Sequence, residues 1–337
     1  VTDTTKPVRL FKGRTAGIYR KLREDEYHDV AAASASFLWD VETRALRYAW
    51  HRSPFNPDYQ PVRKKVFDIG TAVHLSLLEP ARMAEKVRVI HADNFLTKAA
   101  QKARDEAYEE DKVPILAKDF PTIEAMRKHI LEHPVASQLF SRQRGDTEVT
   151  GYFYDPRTNV PCKLRVDHVL NAGNDLVDIK TMSNCKPSEF AKRYVDGGHH
   201  ARAAWYLNGW EILTGRRPKN YWFLCVERDE PHLVSVIRAT PRAIEWGDIL
   251  NRKALDTFAK FWDSDDCPGY VDDLTGEYTA FDVELPAWYE TSLFHRYQAD
   301  AFELSTPGKT ASELRVAYEG QAPLGIEAGM LPEDERL

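Results

Sequence analysis

The sequence predicts an α/β sandwich, a mixed central sheet flanked by helices. Three observations predict it. The hydrophobic patterns run in the order helices, three strands, helices, two strands, one long helix. The three middle strands, over residues 148–154, 163–170 and 176–181, lie close enough together to form an antiparallel meander. The last two flank Asn171-Ala172-Gly173-Asn174, a loop rich in turn formers, so residues 162–181 read as a β-hairpin.

Residues 1–16 read as an extended arm, and 19–27 carry mixed charge. Phe37, Leu38, Val41, Leu46 and Trp50 give a helix over 36–50, with Ser34 and Ser36 as its caps. A proline-rich loop follows over 54–61. Residues 66–78 read as a buried helix closed by Glu79-Pro80, in which Gly70 and Ala72 let another backbone approach. Residues 81–146 read as a helical insert, with a short strand at 87–90 and helices over 98–109, 115–132 and 135–140. After the meander come helices over 187–194 and 200–213, a strand pair over 220–226 and 233–237, and a helix over 242–262. One domain is expected over 1–305. The tail 306–337 has few large apolar residues and is expected to be mobile or to pack on a partner. Leu285 to Tyr289 is a candidate docking segment.

The chain has 337 residues, 43% hydrophobic and 29% charged, enough for a substantial core. No apolar run approaches the ~20 residues of a membrane span, and the N-terminus has no signal-peptide pattern. Cys162, Cys185, Cys225 and Cys267 are widely spaced, with no C-x-x-C pair for zinc or a clustered iron–sulfur centre. Free thiols in a reducing cytoplasm are the expectation. A net charge of −6 argues against indiscriminate coating of nucleic acid, though not against a local basic channel. Arg20-Lys21-Arg23, Arg63-Lys64-Lys65, Lys192-Arg193 and Arg216-Arg217-Lys219 are candidate pieces of one, or simply solvated faces.

Folding the hairpin symmetrically places Leu170 opposite Asp175, Asp167 opposite Asp178 and Arg165 opposite Lys180. Alternation puts Asp178 and Lys180 on one face, Val177 and Ile179 on the other. Opposed carboxylates lie roughly 5 Å apart at Cβ and repel, which makes sense around a divalent cation that removes the repulsion. Lys180 would then stand beside the attacked phosphate, orienting a water or neutralising developing charge. The competing reading is an exposed hairpin with solvated charges. Lys163 and Arg165 extend the same face, as DNA phosphate contacts or as solvated cations. Glu148 is a further oxygen ligand or an edge-strand glutamate. His74, in an apolar helix, is a core histidine satisfied by a hydrogen bond or a metal ligand. Arg202 and Tyr206, one helical turn apart, grip phosphate or base, or else Tyr206 is plain core.

The motifs FDIGTAVHLSLLEP, CKLRVDHVL and LVDIKT, followed by a helix with R-x-x-x-Y, resemble the exonuclease VIII (RecE-type) branch of the PD-(D/E)xK nucleases, related to lambda-type exonuclease. The motifs run from about Phe67 to Trp210. The resemblance implies a restriction-endonuclease-like core and a 5′ to 3′ exodeoxyribonuclease that degrades one strand of linear duplex DNA to mononucleotides. It implies two Mg²⁺ ions, with Mn²⁺ able to substitute, held by His74, Asp167, Asp178 and the Ile179 carbonyl, with Glu148 contributing. Asp167, Asp178 and Lys180 take the catalytic positions. Lys163, Arg165, Arg202 and Tyr206 would touch DNA, with Arg202 standing where the family has glutamine. A homo-oligomeric ring on double-stranded DNA ends, a single-strand annealing protein as partner, and the cytoplasm of a bacterium or phage-infected host are further implications. The alternatives are a structure-specific endonuclease on the same fold and a catalytically idle DNA-binding recombination subunit.

Overall fold

A computed structural model describes residues 11–20, 22–60, 68–140, 145–262, 267–272 and 275–297. Most of the expected arm, the Arg63-Lys64-Lys65 cluster and the tail 306–337 lie outside the described residues. The chain divides into two units, Val1–Val271 and Asp272–Leu337.

The first unit opens with β1 (Gly17–Tyr19), α1 (Glu24–His28), α2 (Ala35–Thr43), α3 (Leu46–His51) and α4 (Asp68–Leu78). The single helix expected over 36–50 is two. Arg44, with φ −128° and ψ −93°, leaves the helical region and breaks it. Ser34 caps α2, its Oγ accepting from the Phe37 N–H at 3.3 Å.

The insert contains α5 (Met83–Lys86), β2 (Val87–Ile90), α6 (Lys98–Glu109), β3 (Val113–Leu116), α7 (Phe120–Glu132) and α8 (Ala136–Leu139). It is not wholly helical. β2 and β3 pair in parallel, and α6 is the crossover such a pair requires. The helix expected over 115–132 begins only at Phe120. Ile115 and Leu116 are buried in β3, and a short apolar run of this kind reads equally well as either element.

The main sheet follows: β4 (Gly145–Tyr154), β5 (Pro161–Leu170), β6 (Asp175–Met182), α9 (Pro187–Asp196), α10 (His199–Thr214), β7 (Asn220–Glu227), β8 (Val234–Arg238) and α11 (Pro241–Ala259). Its order is β1-β4-β5-β6-β7-β8. Only β6 and β7 pair in parallel, joined by the crossover through α9 and α10. The sheet is therefore mixed, as expected.

Helices cover both faces. Side chains of α2, α9, α10 and α11 bury Val149, Phe153, Leu164, Val166, Leu176 and Phe223. Those of α4 and α7 bury Val177, Ile179, Leu224 and Val226. Gly209 lets α10 lie close on the sheet, since a Cβ there would stand 2.5 Å from Leu164 Cδ2. A third cluster gathers Phe11, Leu22, Tyr27, Val30 and Ala32 around Tyr152. No helix of the described residues is long and apolar enough to cross a membrane. In the second unit, α12 (Ala287–Tyr297) follows residues 278–286, which form no regular secondary structure, and Leu285, Trp288 and Tyr289 are exposed.

Candidate active site

The hairpin pairs Leu170 with Asp175, Val169 with Leu176 and His168 with Val177, the register expected from its turn. That turn holds Asn171, Ala172 and Gly173 at φ of 50°, 54° and 88°. The next pair would be Asp167 with Asp178, and there the ladder stops. Asp167 Oδ2 accepts from the Ile179 N–H at 2.7 Å, taking a donor that a regular ladder would give to a carbonyl. Strand alternation breaks at the same place. Val166 and Val169 are three residues apart yet bury in one cluster.

β4 is irregular at the matching position. Thr147 pairs with His168 and Val149 with Val166, which leaves Glu148 opposite Asp167 and out of the ladder. Glu148 has φ +52°, a left-handed conformation that costs a non-glycine residue about 1 kcal/mol. Strain of this kind persists only where the surroundings over-determine it. The strand expected from Glu148 in fact starts three residues earlier, at Gly145.

α4 brings His74 to this gap. Its Nε2 lies 3.1 Å from the Ile179 carbonyl oxygen, and its Nδ1 lies 3.8 Å from Asp167 Oδ2. Gly70, one turn earlier, sets how closely α4 approaches β6. A Cβ there would lie 3.0 Å from Thr181 Oγ1. His74, Glu148 and Asp167 each present a ligating atom, all within 4.8 Å of one another. Burial, then the Asp167 charge, pushes the Glu148 carboxyl up to about 7 against the pull of Arg165. Burial also raises Asp167, with the Asp178 charge adding to it and His74 opposing. Two partly buried carboxylates with raised proton affinities, beside an imidazole, are a donor set that fits a divalent cation.

Asp178 stands apart from that set. It is 2% exposed and forms an ion pair with Lys180, and Arg202 Nη1 is 3.9 Å from its Oδ1. Burial alone would raise its proton affinity. Lys180 and Arg202 outweigh burial and hold the carboxyl below the usual aspartate range. Arg202 and Tyr206 line a cavity of about 230 Å³ with Ser34, Ser36, Arg52 and Tyr59. Burial raises the Tyr206 phenol, so it stays protonated.

Two expected contacts are placed otherwise. Lys163 is only 4% exposed, and its ammonium donates to the carbonyls of Tyr27, His28 and Val30 at 3.0, 3.3 and 2.8 Å. It is turned into the protein, not toward DNA, because the N-terminal segment covers that part of the sheet. Arg165 donates to Glu148 Oε2 at 2.7 Å, Leu22 O at 3.0 Å and Thr150 Oγ1 at 2.9 Å, so its guanidinium is likewise engaged internally. The Ile179 carbonyl, expected as a ligand, is the hydrogen-bond partner of His74. One residue the sequence did not mark is His199, at the start of α10. Its ring stacks on Phe190 with centroids 5.7 Å apart, and burial, then the Lys180 charge, lowers its imidazole to about 4. Its only sequence signal is a position three residues before Arg202.

No curated protein matches the sequence. Among solved structures, a "Putative exonuclease" from Eubacterium rectale superposes with a TM-score of 0.52 at 12% identity, covering 81% of this chain and 99% of that one. At that identity the likeness is one of fold. A second structure, the protein SSO0001, is 12% identical and covers 57% of this chain and 85% of its own, but its TM-score of 0.25 carries no weight. A family model described as "PDDEXK-like domain of unknown function (DUF3799)" matches residues 51–275, which contain every strand of the main sheet except β1 and all the residues of the gap. The chain belongs to this PDDEXK-like family, and its sheet is the PD-(D/E)xK nuclease fold.

Proposed function

We propose that the protein is a Mg²⁺-dependent 5′ to 3′ exodeoxyribonuclease that shortens one strand of linear duplex DNA to mononucleotides, preparing single strands for annealing. The observation that carries this reading is the gap between β4, β5 and β6, where Glu148, Asp167 and His74 converge within 4.8 Å and Asp178 and Lys180 follow on the next strand. Glu148, Asp167 and His74 would hold the cation, with Asp178 joining when its pairing with Lys180 relaxes. When bound, Mg²⁺ supplies positive charge to the scissile phosphate and acidifies a water.

The chain's own groups divide the remaining work. His74 keeps one ring nitrogen on the Ile179 carbonyl, which fixes the ring so that the other faces Asp167. Lys180 is tethered by Asp178 at the point where the attacked phosphate would lie, and its ammonium offsets charge developing on the phosphate oxygens. Arg202 remains charged at all working pH and reaches both Asp178 and the adjoining cavity, where it would grip the strand being cut. The RecE-type branch, the ring assembly and an annealing partner belong to the same proposal, supported by the motifs.

Linear and covalently closed circular duplexes of one sequence test it. Mg²⁺-dependent release of nucleotides from the linear form alone is expected. Cutting of the closed circle at a similar rate would instead identify an endonuclease.

A further inference from the structure

The N-terminal segment lies outside the family match over 51–275, yet it is built into the site. β1 extends the main sheet beside β4, and Phe11 stacks on Tyr152 of β4 with ring centroids 4.9 Å apart. Residues 22–30 then pass over the face of β5 that carries Lys163 and Arg165. Four of their backbone carbonyls, those of Leu22, Tyr27, His28 and Val30, are answered by these two cations. The Tyr27 ring lies under both, 4.8 Å from Lys163 Nζ and 5.9 Å from the Arg165 guanidinium carbon. Carbonyls buried in this way must be satisfied, so the segment and the two cations hold one another in place.

Arg165 makes the decisive connection. One nitrogen holds the Glu148 carboxylate at 2.7 Å, and another is shared between Leu22 O and Thr150 Oγ1. A planar guanidinium clamped on one edge presents the other edge in a fixed direction. Glu148 needs that restraint, because its backbone is left-handed and outside the ladder. We propose that Arg165 is a positioning residue for the metal-binding carboxylate of Glu148 rather than a DNA contact, and that the segment Leu22–Val30 is the brace that fixes Arg165. The inference rests on the reading of His74, Glu148 and Asp167 as the cation site. It extends the functional unit beyond the family match.

Three variants and two binding measurements test it. Mn²⁺ binding is followed by calorimetry without DNA in the full chain, for wild type, Arg165→Met, Tyr27→Leu and the double variant. Arg165→Met is expected to weaken Mn²⁺ by about 10- to 100-fold, the range seen when an outer partner of a ligand is removed. Tyr27→Leu loosens the brace without touching a ligand and is expected to weaken Mn²⁺ as well. The double variant should bind no more weakly than Arg165→Met alone, because both act through one carboxylate. Fully additive losses would show that the segment does not act through Arg165. DNA affinity measured without metal across a salt series should keep its slope in Arg165→Met, whereas loss of a phosphate contact would reduce the slope by about 0.9. Unchanged Mn²⁺ affinity in Arg165→Met, with wild type binding normally, overturns this inference alone. Failure of wild type to bind Mn²⁺ overturns the reading of the site and this inference with it.

Discussion

Glu148 is a residue whose acid–base chemistry the fold alters strongly. Its folded value of about 7 lies above the ordinary glutamate value of 4.5. Between those two values the folded protein keeps a proton that the unfolded chain has lost. The stability this proton carries is fully present below pH 4.5 and is lost as pH rises to about 7. Metal-free protein should therefore lose stability over this window in urea titrations, and Glu148→Gln should flatten the slope. Parallel slopes for the two proteins would contradict the assignment. Mn²⁺ competes with the same proton, so its affinity for wild type should climb across the window. Lys163 makes a different prediction. Lys163→Met leaves three carbonyls without their donor and should cost about 3 kcal/mol in denaturant, with the salt slope of DNA binding unchanged. A lower salt slope at wild-type stability would return Lys163 to the DNA surface. Lys180→Ala should lower cleavage by about 10²- to 10³-fold while circular dichroism stays that of the folded protein.

Among the elements, the β5–β6 hairpin and α4 carry the site between them. α4 reaches β6 closely because residue 70 is glycine, and His74 sits one turn further on. Gly70→Ala should push the helix outward and lower cleavage by about tenfold, since small displacements of a positioned group cost rate steeply. Thr181→Ala removes the atom that the new methyl meets, so the double variant should recover part of the loss. A double variant as slow as Gly70→Ala would remove the spacing argument. The hairpin register was legible because a four-residue loop with three turn formers separates two apolar runs, and counting outward from it pairs Leu170 with Asp175. The splay at Asp167 was legible only as repulsion between two carboxylates, without the Ile179 N–H that relieves it. The left-handed Glu148 was not legible, because no local preference draws glutamate to positive φ. β3 was misread because four apolar residues before a helix carry no period of their own.

The whole molecule shows why Lys163 and Arg165 misled. Residue type and alternation put both on one face of β5, and a cationic stripe beside a predicted nuclease site reads as a DNA track. What covers that face comes from more than 130 residues earlier in the chain, and no local pattern encodes such a contact. The mixed sheet and the order of its longer strands and helices were legible because periodicity is local and those elements are long enough to show it. The central claim concerns chemistry at the gap, and one measurement reaches it directly. A linear duplex labelled separately at a 5′ end and at a 3′ end is incubated with Mg²⁺ and either wild type or Asp167→Ala. The account predicts early release of the 5′ label as mononucleotide by wild type and none by the variant. Release by Asp167→Ala at the wild-type rate, or no release from either end by wild type, would contradict it.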